Sequence, residues 1–340
     1  MKDKVALVTG ASGFIGSWVV HILRQKGIHV RAGIHHPCDI EKLDFPQDVE
    51  TIVIDILDQK SLFEVMEGVD VVYHFAAKVN TIEPKEVLYR VNVEGTRNVW
   101  KCSATCGVKA ALYCSSTAVY GLLANSQQPI SENVKMRAFE PYGRSKLLGE
   151  KIAMEISANS GLSTIIIRPV AVFGPGERTP MGREIKNAAV SKFLLAGGFH
   201  KKSFNFVHVE DVAAASVFLM DRVSSSGQIY NITGEKPILF EEAFQAYLRA
   251  LRQSRNLTVY IKILAWISAI IHKFSFLSHL LSQYGSKSFV FKIWKPGFDV
   301  IYSSEKLLNT SFRFKWNSFE EVLLSCINDK PVFSKGETRG

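Results

Sequence analysis

The stretch that decides the fold is Val5-Ala6-Leu7-Val8-Thr9-Gly10-Ala11-Ser12-Gly13-Phe14-Ile15-Gly16. Its first four residues form a continuous apolar run, which is typical of a buried parallel strand. Three glycines spaced G-x-x-G-x-x-G follow, and a helical pattern then continues to Lys26. Glycines at this place allow a tight turn, close backbone approach to a pyrophosphate, and close packing of helix on strand. The stretch therefore predicts a dinucleotide site at a helix N-terminus.

Patterns typical of strands and of helices alternate through the first half of the chain. The strands predicted after the first are Ile28–Ile34, Thr51–Asp55, Val69–Phe75, Ala110–Cys114 and Ser163–Arg168. The helices predicted after the first are Gln59–Met66, Pro84–Cys106 and, after a break at Pro141, Arg144–Ala158. This alternation predicts an α/β fold with a doubly wound parallel sheet, whose ligands bind at the carboxyl ends of the strands.

A tyrosine and a lysine lie four residues apart in Tyr142-Gly143-Arg144-Ser145-Lys146. Residues four apart share one face of a helix. An ammonium beside a phenol favours the phenolate and lowers its pKa, which suits an acid/base group at neutral pH. Most pairs at this spacing are ordinary surface neighbours, so the hypothesis of catalysis depends on the surrounding motifs.

Three strand ends carry residue types that suit a cofactor cleft. Hydroxyls in Ser115-Ser116-Thr117 follow the fifth strand, where such sheets bind ligands. The small side chains of Ala76 and Ala77, after the fourth strand, permit close approach of a cofactor to the backbone. Asp55 and Ile56, at the end of the third strand, are candidates to hold the adenine edge.

The end of the second strand bears on the choice of cofactor. Dinucleotide folds often place a carboxylate there to hold the ribose hydroxyls. This chain has Ile34-His35-His36 instead, with Arg31 nearby and no carboxylate before Asp39. The pattern favours a 2′-phosphate, and hence NADP(H) over NAD(H), with His35 as a candidate contact. The alternative is that both histidines are loop residues and that NAD(H) binds through other groups.

The composition is that of a globular protein with a sizeable core, since 47% of the 340 residues are hydrophobic and 21% are charged. The five cysteines have no metal-ligand spacing and indicate a reducing compartment, so no metal, no disulfides and a cytoplasmic location are expected. No signal peptide is expected, because the first apolar run leads directly into the glycine turn. No nucleic-acid motif is present, so no nucleic-acid partner is expected.

The net charge of +9 is concentrated at the C-terminal end, where residues 249–340 contain 14 Lys and Arg against 6 Asp and Glu. A basic, apolar segment of this kind suits an anionic membrane surface or an acidic ligand. A solvated basic face is an equally good interpretation.

Together these motifs resemble the extended short-chain dehydrogenase/reductase family, also called the NAD-dependent epimerase/dehydratase family. The matching pieces occur in the family's order: Thr9–Gly16, Asp55-Ile56, His74-Phe75-Ala76-Ala77, Val91–Thr96, Ser115–Gly121, Tyr142 with Lys146, Arg168–Gly176 and Phe206–Val212. The resemblance implies a Rossmann-type sheet with a smaller, mostly helical C-terminal substrate domain. It also implies a homodimer formed through the helices that bear Asn92 and Tyr142.

The resemblance assigns roles to individual residues. Tyr142 is implied as the acid/base, Lys146 as the group that lowers its pKa and binds the nicotinamide ribose, and Ser116 as the catalytic hydroxyl, with Thr117 as the neighbour that could be confused with it. The implied cofactor-binding residues are Gly10, Ser12, Gly13, Phe14, Ile15, Gly16, His35, Asp55, Ile56, Ala76, Ala77, Asn92, Tyr142, Lys146 and Pro169. A carbonyl gains negative charge during hydride transfer, and hydroxyl donors would stabilise that charge.

Three departures narrow the substrate. Ile34-His35 resembles the NADP-binding pattern of reductases more than the acidic pattern of NAD-dependent sugar epimerases. Ala171 and Phe204 stand where nucleotide-sugar members of the family usually carry Asn and Arg. The pattern is closer to the branch of 3β-hydroxysteroid dehydrogenases and dihydroflavonol-type reductases, which implies an alcohol–ketone oxidoreductase with an apolar small-molecule substrate. The alternatives are a nucleotide-sugar epimerase or dehydratase with tightly bound NAD, and a non-catalytic dinucleotide-binding scaffold.

The C-terminal region carries one long apolar pattern. In residues 258–284, apolar side chains recur at helical spacing, which predicts a helix that packs over the substrate cleft or lies at a membrane surface. Its interruption by Lys262 and His272 argues against a spanning helix. The predicted domains are 1–170 with 204–232 returning to it, 171–203 with 233–330 for the substrate, and a tail at 331–340. Other predicted elements are a strand at Gln228–Asn231, helices at Leu239–Arg252 and Ser318–Ile327, and an apolar pocket segment at Phe289–Trp294.

Overall fold

The structure is a computed structural model that describes residues 4–79, 84–121, 129–177, 193–197, 203–222, 227–254, 259–263, 288–291 and 301–328. Its central sheet contains β1 (Val5–Thr9), β2 (His29–Ile34), β3 (Glu50–Val53), β4 (Val71–His74), β5 (Ala110–Cys114), β6 (Ser163–Pro169) and β11 (Gln228–Ile232). The strand order is β11-β6-β5-β4-β1-β2-β3, and every neighbouring pair is parallel. The predicted parallel sheet is confirmed.

Helices cover both faces of this sheet. They are α1 (Phe14–Gln25), α2 (Gln59–Met66), α3 (Lys85–Tyr89), α4 (Thr96–Thr105), α5 (Pro141–Ser160) and α6 (Val209–Met220). Helices α1 and α6 pack on one face, where alternate strand residues such as Val8 and Leu112 are buried. Helices α2, α4 and α5 pack on the other, against Leu7 and Ala111. Since successive strand side chains point to opposite faces, two cores sandwich one sheet.

Helix α5 begins at Pro141, not at Arg144 as predicted. Proline occupies the first helical position, where no intrahelical partner is available for a backbone N–H, so the missing donor costs nothing there. Glu140 precedes it in extended conformation, and Gly161 at φ +73° ends the helix. The earlier start places Tyr142 inside the first turn of the helix.

The long helix predicted from Pro84 to Cys106 is interrupted. A π-helical turn, Arg90–Gly95, lies between α3 and α4 and contains Asn92. Such turns are rare and often occur at functional sites. Gly95 permits close packing there, because a Cβ at that position would lie 2.5 Å from Ile56 Cδ1.

The C-terminal part of the chain adds small sheets and helices beyond the central sheet. Strand β7 (Ala171–Phe173) pairs in parallel with β10 (Phe206–His208), and β9 (Ser203–Phe204) pairs antiparallel with β12 (Ile238–Leu239). The helices are α7 (Phe240–Ser254), α8 (Glu305–Leu308) and α9 (Phe319–Asn328). Helices α7 and α9 pack together around a third core that includes Phe206.

One prediction for this region is wrong. Val259–Ile263, predicted as the start of a helix, is strand β13, which pairs in parallel with β8 (Phe193–Gly197). Val259, Ile261 and Ile263 are β-branched and favour strands once a partner strand is available. Residues 264–284 lie outside the described residues. Ser288–Phe291 forms strand β14 on the other side of β8, and residues 292–294 are likewise outside the described part.

The predicted division into domains stays a prediction, although β11 pairs with β6 in the central sheet. In the part of the chain that the structure describes, no helix combines the length and the apolar character needed to cross a bilayer.

Candidate active site

A cleft of about 530 Å³ opens at the carboxyl ends of the central strands. One end is lined by the segment Gly10–Gly16, called the glycine loop below. The other end is lined by Ser116, Tyr142 and Lys146. Of the predicted site residues, those in the cleft wall are Gly10, Gly13, Phe14, Ile15, Gly16, Ala77, Ser116, Tyr142, Lys146 and Pro169. The fold thus brings the two motifs with the clearest sequence signals to one cavity.

The glycine loop is shaped by close backbone contacts. Gly10 has φ +69°, and a Cβ there would lie 2.6 Å from the backbone nitrogen of Ala76. A Cβ on Gly16 would lie 2.3 Å from the Gly10 carbonyl oxygen. Helix α1 begins after Gly13 with no side-chain cap and no acidic residue in its first turn. Its free N–H groups and positive dipole end are therefore suited to an anion such as a pyrophosphate.

Ser116 and Thr117 take different roles in the structure. The Ser116 hydroxyl hydrogen-bonds the side chain of Tyr142 and also accepts from the backbone N–H of Ala118 at 3.2 Å. The Thr117 hydroxyl donates to the Pro169 carbonyl at 3.3 Å and is buried. Of the two hydroxyls, Ser116 is the one that accompanies Tyr142, in agreement with the position that the resemblance gives it.

Lys146 is held by a backbone carbonyl and an aromatic ring. Its ammonium donates to the Cys114 carbonyl at 2.8 Å and lies 5.0 Å from the centre of the Tyr113 ring. Burial lowers the pKa of Lys146, while the charges of Cys114 and Glu150 oppose that change.

The pKa of Tyr142 is raised, not lowered. Burial is the main cause, the Cys114 charge adds to it, and the hydrogen bond with Ser116 opposes it. The expected lowering by Lys146 is therefore not seen, because removal of the phenolate from water outweighs the favourable contacts. Tyr142 is consequently a protonated acid at neutral pH.

Asn92 is predicted to bind cofactor, but it lies outside the cleft wall and is buried. Its side-chain oxygen accepts from the Lys78 N–H at 2.8 Å, and its amide nitrogen donates to the Lys78 carbonyl at 2.9 Å and to Ser145 Oγ at 3.0 Å. These contacts use both amide protons, so the side chain of Asn92 holds protein segments together and has no donor left for a ligand.

The remaining predicted cofactor residues also lie outside this wall. Ala76 packs behind Gly10, Ile56 is buried against Gly95, and Asp55 accepts from the Leu57 N–H at 2.9 Å. The predicted roles of Asp55 and Ile56 at the adenine edge, and of Ala76 in close approach of the cofactor, stay predictions.

The surroundings of the second strand weaken the argument for a 2′-phosphate site. Arg31 binds Glu50 at 3.0 Å and the carbonyls of Val65 and Glu67. Asp39 accepts from the Ser12 hydroxyl at 3.3 Å, which brings a carboxylate beside the glycine loop. His35 is exposed, with its ring 4.2 Å from that of His36. Of the basic groups named from the sequence, only the two histidines are free to meet a phosphate.

Tyr302 is a cleft residue that the sequence did not indicate. Its backbone N–H donates to Asn205 Oδ1 at 2.7 Å, and its segment pairs with Ile130 in an isolated β-bridge. Its hydroxyl hydrogen-bonds Thr117, and its ring centre lies 5.6 Å from that of Tyr120. Burial raises the pKa of Tyr302 to about 12. No local pattern marks this residue, since every contact joins segments far apart in the chain.

The residues present fit a dinucleotide. The glycine loop forms a cradle that side chains would fill, and helix α1 presents free N–H groups to it. At the other end, Ser115 contributes to the cleft wall, and its buried hydroxyl has no hydrogen-bond partner among the described residues. A buried hydroxyl without a partner costs roughly 1–3 kcal/mol, so a bound ligand that satisfied it would be favoured.

Comparison with known proteins agrees with this geometry. The model of the NAD dependent epimerase/dehydratase family matches residues 6–233. A 3beta-hydroxysteroid-dehydrogenase/decarboxylase of Arabidopsis thaliana is 31% identical over 83% of the chain and 54% of its own length. The chain thus spans about half the length of that relative.

Two shorter relatives differ in their substrates. Sterol demethylase protein B of Methylococcus capsulatus is 34% identical over 67% of the chain and 69% of its own length. An undecaprenol-linked N-acetylglucosamine 4-epimerase of Escherichia coli is 32% identical over 70% of the chain and 69% of its length. Among solved structures, a UDP-glucose 4-epimerase of Thermotoga maritima superposes with a TM-score of 0.75 at 18% identity, covering 96% of this chain and 98% of that one. That similarity supports the fold.

Proposed function

Because this chain belongs to the NAD-dependent epimerase/dehydratase family, the extended short-chain dehydrogenases and reductases, we propose that it interconverts an alcohol and a ketone on an apolar small molecule. The family consists of NAD(P)-dependent enzymes, and the cleft has the loop that such a cofactor needs. The substrate and the direction of the reaction are the parts that this proposal adds.

The apolar wall of the cleft is the observation that carries the proposal. Val79, Phe139, Val172 and Tyr302 line it, and Val79 and Phe139 are among the large hydrophobic side chains that stay exposed. In the lining that the structure describes, Glu140 and Lys146 are the only charged side chains. A diphosphate needs cationic or N–H partners beyond the glycine loop, whereas a hydrocarbon body needs only apolar contact.

The departures from the nucleotide-sugar pattern at Ala171 and Phe204 agree with this substrate class. Ala171 lines the cleft and offers no side-chain donor. Phe204 packs edge-on against Phe319, with 5.9 Å between ring centres, in the third core. At neither position does the chain present a polar group for a sugar nucleotide.

The roles of the residues follow from their contacts. A bound nicotinamide supplies or accepts the hydride. In the reduction, Tyr142 donates its proton to the carbonyl oxygen, and Ser116 stabilises the charge that develops on that oxygen through a hydrogen bond. Lys146, held by the Cys114 carbonyl, adds a positive charge at the floor of the cleft. The raised pKa of Tyr142 keeps the phenol protonated at neutral pH.

A substitution of Tyr142 tests this function. With NADPH and a hydrophobic ketone such as 2-decalone, Tyr142→Phe is expected to lower the rate by about 100-fold or more, as for loss of a general acid. Tyr230→Phe, on a buried tyrosine of β11, is the matched control and should keep the rate. An unchanged rate in Tyr142→Phe would exclude the proposed mechanism.

A nucleotide-sugar epimerase or dehydratase is the second candidate. The Escherichia coli relative, an epimerase of an undecaprenol-linked sugar, favours epimerisation as the reaction. Such an enzyme retains its NAD between turnovers. Purified protein that contains bound NAD, binds a UDP-sugar saturably and does not oxidise NADPH with ketones would support the epimerase over the oxidoreductase.

We propose NADP(H) as the preferred cofactor, supported by the exposed His35 and His36 at the end of β2. His35→Asp would place a carboxylate near the 2′-phosphate and should reduce kcat/KM for NADPH relative to NADH by about tenfold. A higher kcat/KM for NADH in the unaltered protein would contradict the proposal.

Homodimerisation, cytoplasmic location and membrane contact through residues 258–284 are further proposals. The dimer would form through the helices of Asn92 and Tyr142, and light scattering of the purified protein should give twice the mass of one chain.

Membrane contact predicts that the protein co-sediments with vesicles containing phosphatidylserine. This binding should weaken with added salt, because basic residues would provide the attraction.

A further inference from the structure

A series of buried hydrogen bonds includes Thr9, the last residue of β1. The Thr9 hydroxyl lies 2.7 Å from His74 Nδ1, and His74 Nε2 lies 3.1 Å from the Thr96 hydroxyl. Thr96 donates to the Asn92 carbonyl at 2.7 Å, and the Ala76 N–H donates to Thr9 Oγ1 at 3.4 Å. Four of these five residues are at most 1% exposed: Thr9, His74, Asn92 and Thr96.

The donors in this series are fixed by elimination. A carbonyl only accepts, so the single Thr96 hydroxyl proton belongs to the Asn92 carbonyl. Thr96 can then only accept from His74, which places the proton of that ring on Nε2. Nδ1 is left as an acceptor, and it accepts from the Thr9 hydroxyl. Every bond therefore runs in one direction from Ala76 to Asn92, and such aligned bonds strengthen one another.

A second set of bonds continues from Asn92 to the helix of the proposed acid. The Asn92 amide nitrogen donates to Ser145 Oγ at 3.0 Å, and Ser145 donates to the Tyr142 carbonyl at 2.7 Å. The Asn92 side chain also hydrogen-bonds the backbone N–H and carbonyl of Lys78, which lies between the cleft residues Ala77 and Val79. The glycine loop, the wall of the cleft and the first turn of α5 are thus joined by one network.

We propose that Thr9, His74, Thr96, Asn92 and Ser145 form a positioning network that sets Tyr142 relative to the cofactor cleft. The inference rests on the proposed function, because it takes Tyr142 as the acid. None of the five needs to touch the substrate. The π-helical turn contributes by carrying Asn92, whose carbonyl faces Thr96 while its side chain faces Ser145.

The surroundings of His74 keep the network neutral and rigid. Burial lowers the pKa of His74 to about 3, and the charge of Lys146 lowers it further. Its ring stacks on Tyr113 at 5.8 Å and lies edge-on to Trp100 at 5.7 Å. A neutral ring can accept at Nδ1 while it donates at Nε2, as the network requires.

Two substitutions test the network without touching the cleft. Thr96→Val and Ser145→Ala each remove one hydroxyl and keep the side chain small. Fluorine NMR of protein labelled with meta-fluorotyrosine reports on Tyr142, whose resonance is assigned by its loss in Tyr142→Phe. We expect both variants to shift or broaden that resonance. With NADPH and 2-decalone, kcat should fall by about tenfold or more while KM changes little.

Controls separate positioning from general damage. Ser160→Ala removes an exposed hydroxyl that bonds the Ile156 carbonyl at 2.7 Å at the end of the same helix, and should leave the Tyr142 resonance unchanged. Thr96→Ser retains the hydroxyl and should restore both resonance and kcat. Folded Thr96→Val and Ser145→Ala with unaltered resonance and kcat would overturn the network. If the unaltered protein turns over no ketone, the proposed function fails, and the resonance alone decides the network.

Discussion

At the scale of residues, the environment of Tyr142 differs from what its spacing to Lys146 suggests. The lysine donates to a backbone carbonyl, and burial raises the pKa of the tyrosine. Burial in the cleft holds the acid in its protonated form, which is the form that carbonyl reduction needs.

The raised pKa of Tyr142 predicts opposite pH dependences for the two directions. Alcohol oxidation needs the deprotonated tyrosine, so its kcat should rise steadily with pH and reach no plateau below about pH 10, the ordinary tyrosine pKa. Ketone reduction needs the protonated form and should stay constant until that range is reached. Initial rates in both directions as a function of pH test this, and an oxidation rate that is flat up to about pH 10 would contradict it.

Gly16 is the loop position at which a side chain has least room. Gly16→Ala would place a methyl group 2.3 Å from the Gly10 carbonyl oxygen, so the loop must move away from the geometry that cradles a phosphate. NADPH affinity measured by calorimetry should fall by about tenfold or more. Gly13→Ala, whose Cβ would lie 3.0 Å from the same oxygen, should cost less. Equal losses in the two variants would contradict this explanation.

At the scale of elements, a buried ion pair joins α5 to β6. Arg168 donates to both carboxylate oxygens of Glu150, at 2.8 Å and 2.6 Å, and to the Tyr120 hydroxyl at 2.8 Å. Tyr120 in turn donates to Asn231 on β11 at 2.7 Å. The pair therefore fixes the helix of Tyr142 over the strands whose ends form the cleft.

Removal of one partner should destabilise the protein strongly. Glu150→Ala leaves the Arg168 charge buried and unpaired, which costs roughly 3–5 kcal/mol of unfolding free energy. Glu94 lies on the π-helical turn and forms a solvent-exposed ion pair with Arg97. Glu94→Ala breaks this pair and should cost less than about 1 kcal/mol of unfolding free energy. Urea unfolding measures the free energy that each variant loses. Similar losses in the two variants would show that the buried pair contributes no more to stability than the exposed pair.

At the scale of the whole molecule, the three buried histidines among the described residues predict sensitivity to acid. Burial lowers the pKa of His21 to about 4, and the charge of Asp44 opposes this change. Burial lowers the pKa of His74 to about 3, and the charge of Lys146 lowers it further. Burial also lowers the pKa of His208 to about 3, and the charge of Lys315 adds to that change. The unfolded chain then binds more protons than the native chain below the ordinary histidine pKa of about 6.5. Each histidine lowers stability by about 1.4 kcal/mol per pH unit as pH falls below that value.

One carboxyl group acts in the opposite sense. Burial raises the pKa of Asp211 to about 6, which offsets one histidine between about pH 6 and pH 4. Three histidines outweigh one carboxyl, so the urea midpoint at pH 5 should lie below that at pH 7.5. An equal or higher midpoint at pH 5 would contradict the prediction.

Much of the fold follows from local sequence. The apolar run and glycines at Val5–Gly16 specify a strand, a turn and a helix within a few residues, and the structure agrees closely. The spacing of Tyr142 and Lys146 and the hydroxyls after β5 point to one cleft for the same reason, since each motif lies at the end of a predicted strand or the start of a helix.

Contacts between segments far apart in the chain determined the features that local sequence did not predict. Val259–Ile263 became a strand because it pairs with Phe193–Gly197, and no helical pattern within the segment reveals that partner. Tyr302 lies in the cleft because of its contacts with Asn205 and Ile130, and the Asn92 side chain hydrogen-bonds Lys78 and Ser145. The sequence by itself determined the elements and the kinds of chemistry at their ends, because propensity and periodicity act over neighbouring residues. Only the tertiary structure decided the partners and pKa shifts of those residues, because burial and hydrogen bonding depend on which distant segments meet.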